Sequence, residues 1–220
     1  VGIGGVGSWA VEALARSGVG KLTLIDMDHV SDSNINRQLH ALTTTLGQSK
    51  VLAMAERIAL INPDCQTVLV DEFISPENIE TLLPEDLDVL IDAADQVSAK
   101  VALASWAIKH RKAMITVGAA GGKKQAQSVE MSDLIHATHD PLLAQVRYRL
   151  RKDGVIASDK NACGIHAVFS KEPIVRPSVA EGDVCISDLN CHGYGSLVTV
   201  TATFGHCAAG WALNHFSDAR

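Results

Sequence analysis

The sequence predicts an α/β protein: a doubly wound, mostly parallel, Rossmann-like sheet with an antiparallel strand and helices added toward the C-terminus. Three observations predict it. Short apolar runs alternate with segments of helical periodicity over the first two thirds of the chain. A glycine cluster, Gly2, Gly4, Gly5 and Gly7, stands between the first apolar run and the first helical segment. After Gly122 the alternation breaks down. A β-α-β-α order calls for parallel neighbours joined by crossovers, with helices on both faces.

The elements follow in order. Val1–Ile3 reads as the end of a strand, and strands usually need about five residues, so the sequence predicts that this one begins upstream. Gly4–Gly7 is a turn and Ser8–Ser17 a helix with Trp9, Ala13 and Leu14 on its apolar side. Lys21–Asp26 is a buried strand. The polar stretch Ser31–Gln38 interrupts the pattern before a helix over Gln48–Asn62, which Pro63 stops. Gln66–Val70 is a strand, Pro76–Leu83 a short helix, Asp88–Asp92 a strand, Ser98–Lys109 a helix and Ala113–Gly118 a strand leading into a glycine loop. Beyond it, Gln127–Met131 reads as an antiparallel strand, Gln145–Lys152 as a short basic helix and Ile165–Ser170 as a strand. Gly154–Asn161 and Pro177–Asp188 read as loops. Gly193–Leu213 carries no formal charge and is long enough to cross a bilayer. Its glycines and threonines, with His206 and Cys207, favour a buried or interface helix, leaving membrane association as the lesser reading.

Composition narrows the class. With 220 residues, 47% hydrophobic and 20% charged, the chain is neither disordered nor collagen-like and forms one domain, residues 1–120 binding nucleotide and 121–220 serving substrate and dimer contacts. A net charge of −6 excludes a uniformly basic coat but not a local basic patch. The five cysteines (65, 163, 185, 191, 207) include no C-x-x-C pair. That argues against a secreted disulfide framework and a four-thiolate zinc site and for a cytoplasmic protein.

The chemistry gathers at the carboxyl ends of the strands. Gly2-x-Gly4-Gly5-x-Gly7 lets backbone amides approach a phosphate that the helix N-terminus also attracts. Asp26 closes the next strand, where a carboxylate accepts ribose hydroxyls. To this point NAD and ATP fit equally. Ser33, Asn34, Asn36 and Arg37, with Lys50 at the head of the next helix, Asp92 at the end of the fourth strand and Asp95 just past it, tilt the balance. An Arg, a Lys and amide side chains suit a triphosphate, and a carboxylate suits its Mg²⁺. An NAD-dependent oxidoreductase leaves Arg37, Lys50 and Asp95 without a task.

The run from Gly2 to Ala41, followed by GQSKV and IDAAD, resembles the E1-like ThiF/MoeB superfamily, whose members adenylate a carboxylate with MgATP. The resemblance implies that Gly5 lies in the phosphate loop, that Asp26 holds the ribose, that Ser33–Arg37 and Lys50 contact phosphates and that Asp95 is linked to Mg²⁺. Gln96 departs from the Asn of several relatives. The resemblance further implies an arginine near the N-terminus, often donated by a partner subunit.

Members that activate a sulfur carrier usually hold zinc in two C-x-x-C pairs, which are missing here. HDPLLAQVRYRLRK, GIHAVFSKEPIVRP and DLNCHGYGSLVTVTATFG resemble the tRNA threonylcarbamoyladenosine dehydratase branch. That resemblance implies a homodimer that converts N6-threonylcarbamoyladenosine (t6A) in tRNA to cyclic t6A through an acyl-adenylate. The alternative is adenylation of, or sulfur transfer to, a ubiquitin-like carrier, with a cysteine desulfurase as partner. Cys191, beside His192, is a candidate nucleophile or persulfide acceptor and equally a small hydrophobe at a helix start. Two basic clusters could meet tRNA: Lys109–Lys112, and the preferred Arg147, Arg149, Arg151 and Lys152 around Tyr148. Residue types leave open whether the glycine loops bind a monovalent cation, Na⁺ or K⁺.

Overall fold

The computed structural model describes residues 1–157, 161–173 and 195–218. Strands β1 (Lys21–Ile25) and β2 (Gln66–Val70) pair in parallel, in register Lys21 to Gln66. Strands β3 (Val89–Asp92), β4 (Ala113–Val117), β5 (Val129–Asp133) and β6 (Ile165–Ser170) form a second group in the spatial order β3-β4-β6-β5. Only β5 runs antiparallel, against β6. The predicted antiparallel strand therefore exists, displaced two residues toward the C-terminus and placed at the sheet's edge.

Val1 and Gly2 join the two groups. Gly2 N donates to Ile25 O at 2.9 Å, Val1 N to Ile91 O at 2.9 Å, and Ala93 N to Val1 O at 2.9 Å. The short stub thus lies between β1 and β3 with backbone bonds on both sides, as the apolar run suggested. Strand succession turns around at this point, toward β1 and β2 on one flank and β3 and β4 on the other. In such sheets the crevice at the carboxyl ends of the diverging strands is where ligands bind.

Helices α1 (Gly7–Arg16), α2 (Lys50–Ile61) and α6 (Val198–Asp218) cover one face, while α3 (Ile79–Leu82), α4 (Val97–His110) and α5 (Pro141–Lys152) cover the other. The period-2 alternation of β4 divides its side chains accordingly. Met114 is buried with Leu103 and Leu150, whereas Ile115 and Val117 are buried with Phe204 and Ala208 of α6. A Cβ on Gly205 would lie 2.5 Å from Val6 O and 2.9 Å from Ala10 N. Only glycine lets α6 approach α1 so closely.

Three helices begin more than two residues away from where the sequence places them, while the others agree within two. The stretch predicted over Pro76–Leu83 is helical only at Ile79–Leu82. The basic helix begins four residues earlier, at Pro141, because Asp140 caps it by accepting from Leu143 N at 3.0 Å and Pro141 occupies the first turn. The uncharged C-terminal run becomes a helix only from Val198. Its apolarity reflects burial of Val200, Phe204, Ala208, Ala209 and Ala212 against α1 and the sheet. No helix among the described residues is long and apolar enough to cross a membrane.

Candidate nucleotide-binding site

The glycine loop turns directly from Val1–Ile3 into α1. Gly2 has φ +78° and is packed so tightly that a Cβ would lie 2.7 Å from Ala94 N, and a Cβ on Gly7 would strike Gly2 O. Neither position accepts a side chain. Asp26, just past β1, anchors the loop: its carboxylate accepts from Ile3 N at 2.6 Å and from Asp28 N at 2.9 Å. Each oxygen keeps a lone pair for a hydroxyl donor.

The polar segment 31–38 folds back over the loop. Trp9 Nε1 donates to Arg37 O at 3.0 Å and Leu39 N to Ser8 Oγ at 3.2 Å, tying the segment to α1. The aliphatic stem of Arg37 lies 3.3 Å from where a Cβ on Gly5 would be. Its guanidinium donates to Ser33 O at 2.7 Å and to Asn36 Oδ1 at 2.9 Å, which holds the half-buried side chain in place. Asn34 is buried and shapes the turn, accepting from Ser31 N at 3.1 Å. Asn36 Nδ2 donates to Ser196 O at 3.0 Å, linking the segment to the chain leading into α6.

Lys50, at the N-terminus of α2, is only 5% exposed, and its ammonium donates to Asp28 Oδ2 at 2.7 Å. Across the crevice, Asp95 is exposed on the loop after β3. That loop rests on a fully buried knot. Lys100 Nζ donates to Asp92 Oδ2 and Thr116 Oγ1, each at 3.1 Å, and Thr116 Oγ1 donates to Asp92 Oδ2 at 2.6 Å. The remaining carboxylate oxygen of Asp92 accepts from Ala94 N at 3.1 Å, one residue before Asp95. Between the two walls lies a slot lined by Gly2, Asp26, Phe73, Ile74, Ala94 and Asp95. Apolar lining from Phe73, Ile74 and Ala94 together with the carboxylates of Asp26 and Asp95 suits a nucleoside.

A second buried network pins the loop after β4. Asp140 Oδ2 accepts from Ala119 N at 2.8 Å, Lys123 Nζ donates to Ser170 O at 3.0 Å, and Glu172 Oε2 accepts from Lys124 N at 2.8 Å and Gln125 N at 2.7 Å. Burial pushes the Lys123 ammonium below the usual lysine range, against the opposing pull of Asp140 and Glu172. Cys163 donates to Asp133 Oδ1 at 3.2 Å, and burial pushes its thiol up to about 11, which makes it structural. Cys191 lies outside the described residues. Among the described residues no group of three His, Cys, Asp or Glu is placed to hold a metal.

The basic clusters lie elsewhere. Helix α5 starts beside Ala119, and at about 1.5 Å per residue its last turn is roughly 15 Å further along. Arg149, Arg151 and Lys152 there are exposed, with Tyr148 at 67%, while Arg147 turns inward to donate to Leu134 O at 3.3 Å. In the other cluster Lys109 and His110 engage Glu80, and Lys112 donates to Glu85 O and Leu87 O. Both clusters are thus at the amino edge of the sheet, opposite the crevice.

Comparison with known proteins bears on the whole chain. The family model described as the ThiF family matches residues 1–219. The chain belongs to the ThiF family. This ThiF-family chain is 46% identical over 210 residues to the tRNA threonylcarbamoyladenosine dehydratase of Haemophilus influenzae, covering 94% of this chain and 80% of the relative. It is 43% identical to the Escherichia coli protein of that name, covering 97% of this chain and 83% of the relative. The solved structure of the Escherichia coli dehydratase in complex with ATP superposes with a TM-score of 0.88 at 41% identity, covering 99% of this chain and 84% of that one. Its complex with AMP gives 0.89 at 41% identity, with 99% and 85% covered.

Sequence reasoning located the residues of the ThiF-family crevice that lie in the glycine loop, the polar segment and the strand ends. It missed Asp28, the partner of Lys50, although the D-x-D spacing after a strand was a usable signal. It also missed Phe73 and Ile74, which no motif marks. Lys100 and Thr116 escaped because nothing local says that two residues 16 apart meet beneath a loop.

Proposed function

We propose that this protein is an ATP-dependent tRNA threonylcarbamoyladenosine dehydratase, closing the threonyl carboxylate of t6A onto its own carbamoyl nitrogen to give cyclic t6A. The observation that carries the reading is Arg37 packed against Gly5 of the loop that opens α1, with Lys50 bonded to Asp28, and with Asp26, Asp28 and Asp95 lining one slot. Whole-length similarity to dehydratases supports the tRNA substrate.

A carboxylate is a poor electrophile because its oxygen leaves badly. Attack of that oxygen on the α-phosphorus of ATP displaces pyrophosphate and gives an acyl-adenylate. Attack of the carbamoyl nitrogen on the acyl carbon then expels AMP and closes the ring. Nucleophile and electrophile belong to one side chain, so the second step has the advantage of high effective molarity, and no protein nucleophile is required. The protein's task is to hold phosphates and exclude water. Gly2–Gly7 presents amides, Arg37 and Lys50 neutralise charge, and Asp26 receives the ribose. A single exposed carboxylate fits Mg²⁺, which keeps waters and phosphate oxygens as its other ligands. Asp95 would hold it, and the ion supplies charge neutralisation on the phosphates. The basic tip of α5 would meet tRNA backbone outside the crevice, and α6 would take part in a homodimer.

The test compares tRNA carrying t6A with the same tRNA lacking it, following AMP release and nucleoside mass. AMP released only with the modified tRNA, with loss of one water from the nucleoside, is the expected result. ATP binding without t6A-dependent AMP release would overturn the reading and redirect attention to carrier proteins.

A further inference from the structure

Charged side chains are rarely sealed from solvent, and a sealed ion pair carries a desolvation cost that apolar packing of the same volume avoids. Asp92 and Lys100 are both 0% exposed, and Thr116 is 1% exposed. Stability alone therefore does not account for this trio. What it supplies is direction. Asp92 ends β3, Lys100 lies on α4 and Thr116 on β4, so three elements converge on one carboxylate. Lys100 Nζ donates to Asp92 Oδ2 and to Thr116 Oγ1, and Thr116 Oγ1 donates in turn to Asp92 Oδ2. This closed ring of bonds fixes the rotation of the carboxylate. Its other oxygen, Oδ1, is thereby aimed at Ala94 N, from which it accepts at 3.1 Å.

The same lysine residue acts on the far side of Asp95. Lys100 N donates to Gln96 O at 3.1 Å, closing the first turn of α4. On the near side, Ala93 N donates to Val1 O at 2.9 Å, and Gly2 packs against Ala93 and Ala94 with no room for a Cβ. Asp95 thus stands between two anchored neighbours, Ala94 and Gln96, with its side chain exposed at the slot. A carboxylate presented in this way meets a cation without first having to be ordered.

We propose that Lys100 and Thr116, acting through Asp92 and the Ala94 amide, are positioning residues for the Asp95 carboxylate, so that the Mg²⁺ of the nucleotide meets a ligand already in place. The proposal rests on the ATP-dependent reading above and deepens it. The carboxylate that holds the ion is set from beneath, by buried side chains that reach neither the nucleotide nor the ion.

The test replaces Thr116 by Val, which has the same shape and lacks the hydroxyl, and by Ser, which keeps it. Binding of ATP with and without Mg²⁺, and of AMP, is measured by calorimetry, with melting temperatures alongside. In wild type, Mg²⁺ is expected to strengthen ATP binding. In Thr116→Val that strengthening should need about tenfold more Mg²⁺, while AMP affinity and metal-free ATP affinity keep their wild-type values. Thr116→Ser should return the Mg²⁺ requirement to that of wild type; a Ser variant as impaired as Val would trace the loss to packing and overturn the proposal. A lower melting temperature with the wild-type Mg²⁺ requirement would make the trio structural only and overturn it too. Equal weakening of AMP and of ATP, with or without metal, would overturn it as a general distortion of the crevice. Wild type that binds ATP without regard to Mg²⁺ overturns the proposal and leaves nucleotide binding standing, whereas wild type that binds no ATP removes the reading beneath it as well. Should Thr116→Val not fold, wild type still decides. Its Ala94 amide should exchange slowly with deuterium before any ligand is added, and exchange at the rate of an open loop rejects a preset Asp95.

Discussion

Two buried polar regions flank the crevice and are built on opposite terms. Beneath the loop after β3, Lys100, Asp92 and Thr116 are all but sealed from solvent, and every one of their side chains is bonded to another. On the other wall, Gln38, His40 and Ser49 are as deeply placed in their polar atoms but leave them without partners. Both regions cost desolvation, yet only the first recovers it within the protein. A closed network stiffens a loop, here the one that presents Asp95. An open one stores unmade bonds where something polar can complete them.

The contrast can be broken most strongly at the closed network. Lys100→Met removes one partner of a buried ion pair and leaves the Asp92 carboxylate with only Thr116 Oγ1 and Ala94 N to bond it. Stability is expected to fall by about 3–5 kcal/mol in urea unfolding, whereas His40→Leu should lose none. A loss below 1 kcal/mol for Lys100→Met would mean that the knot is not the buried pair described. Next comes acid. The His40 ring titrates near 4 when folded and near its ordinary 6.5 when unfolded, so between these values the unfolded chain binds more protons. Stability is full above about pH 6.5 and declines as the pH falls toward 4, by about 3 kcal/mol from this group. His40→Leu should remove that part of the decline, which a pair of urea titrations at pH 7 and pH 4.5 would detect.

Smaller effects sharpen the division between crevice and outer surface. Arg149→Ala with Arg151→Ala should reduce the slope of log affinity for tRNA against log salt by about 2 and leave ATP affinity untouched. A change in ATP affinity would show that the α5 tip and the crevice are coupled. The least effect is expected at Glu80. Its carboxyl is held near 2, chiefly by the Lys109 ammonium and then by His110, but the pair is solvent-exposed. Water already satisfies such groups, so the melting temperature of Glu80→Gln should equal that of wild type.

Much of the crevice was legible because its parts are local. Gly2, Gly5 and Gly7 announce a tight turn by residue type alone, Asp26 stands at a fixed place beyond the next strand, and Arg37 and Lys50 are charges that a buried α/β edge would not otherwise keep. Helix α5 was read too short because its start depends on Asp140 accepting from Leu143 N, a cap visible in HDPLL but outweighed by the basic periodicity that follows. Packing divides the basic run Arg147–Lys152: Arg147 faces inward to Leu134 O, while Arg149, Arg151 and Lys152 stay exposed on the helix.

By itself the sequence determined what backbone chemistry and periodicity can encode: the alternating order of strands and helices, the glycine turn before α1, the carboxylates at strand ends and the antiparallel strand beyond Gly122. Tertiary structure alone decided which of its buried polar groups meet. Asp92, Lys100 and Thr116 close on one another because β3, α4 and β4 bring them together, while His40 is carried inward by a segment with no regular structure and finds no partner. The physical reason is that hydrogen-bond satisfaction depends on directions and distances between elements remote in sequence, and a linear pattern specifies each element's face but not what that face will find across the core.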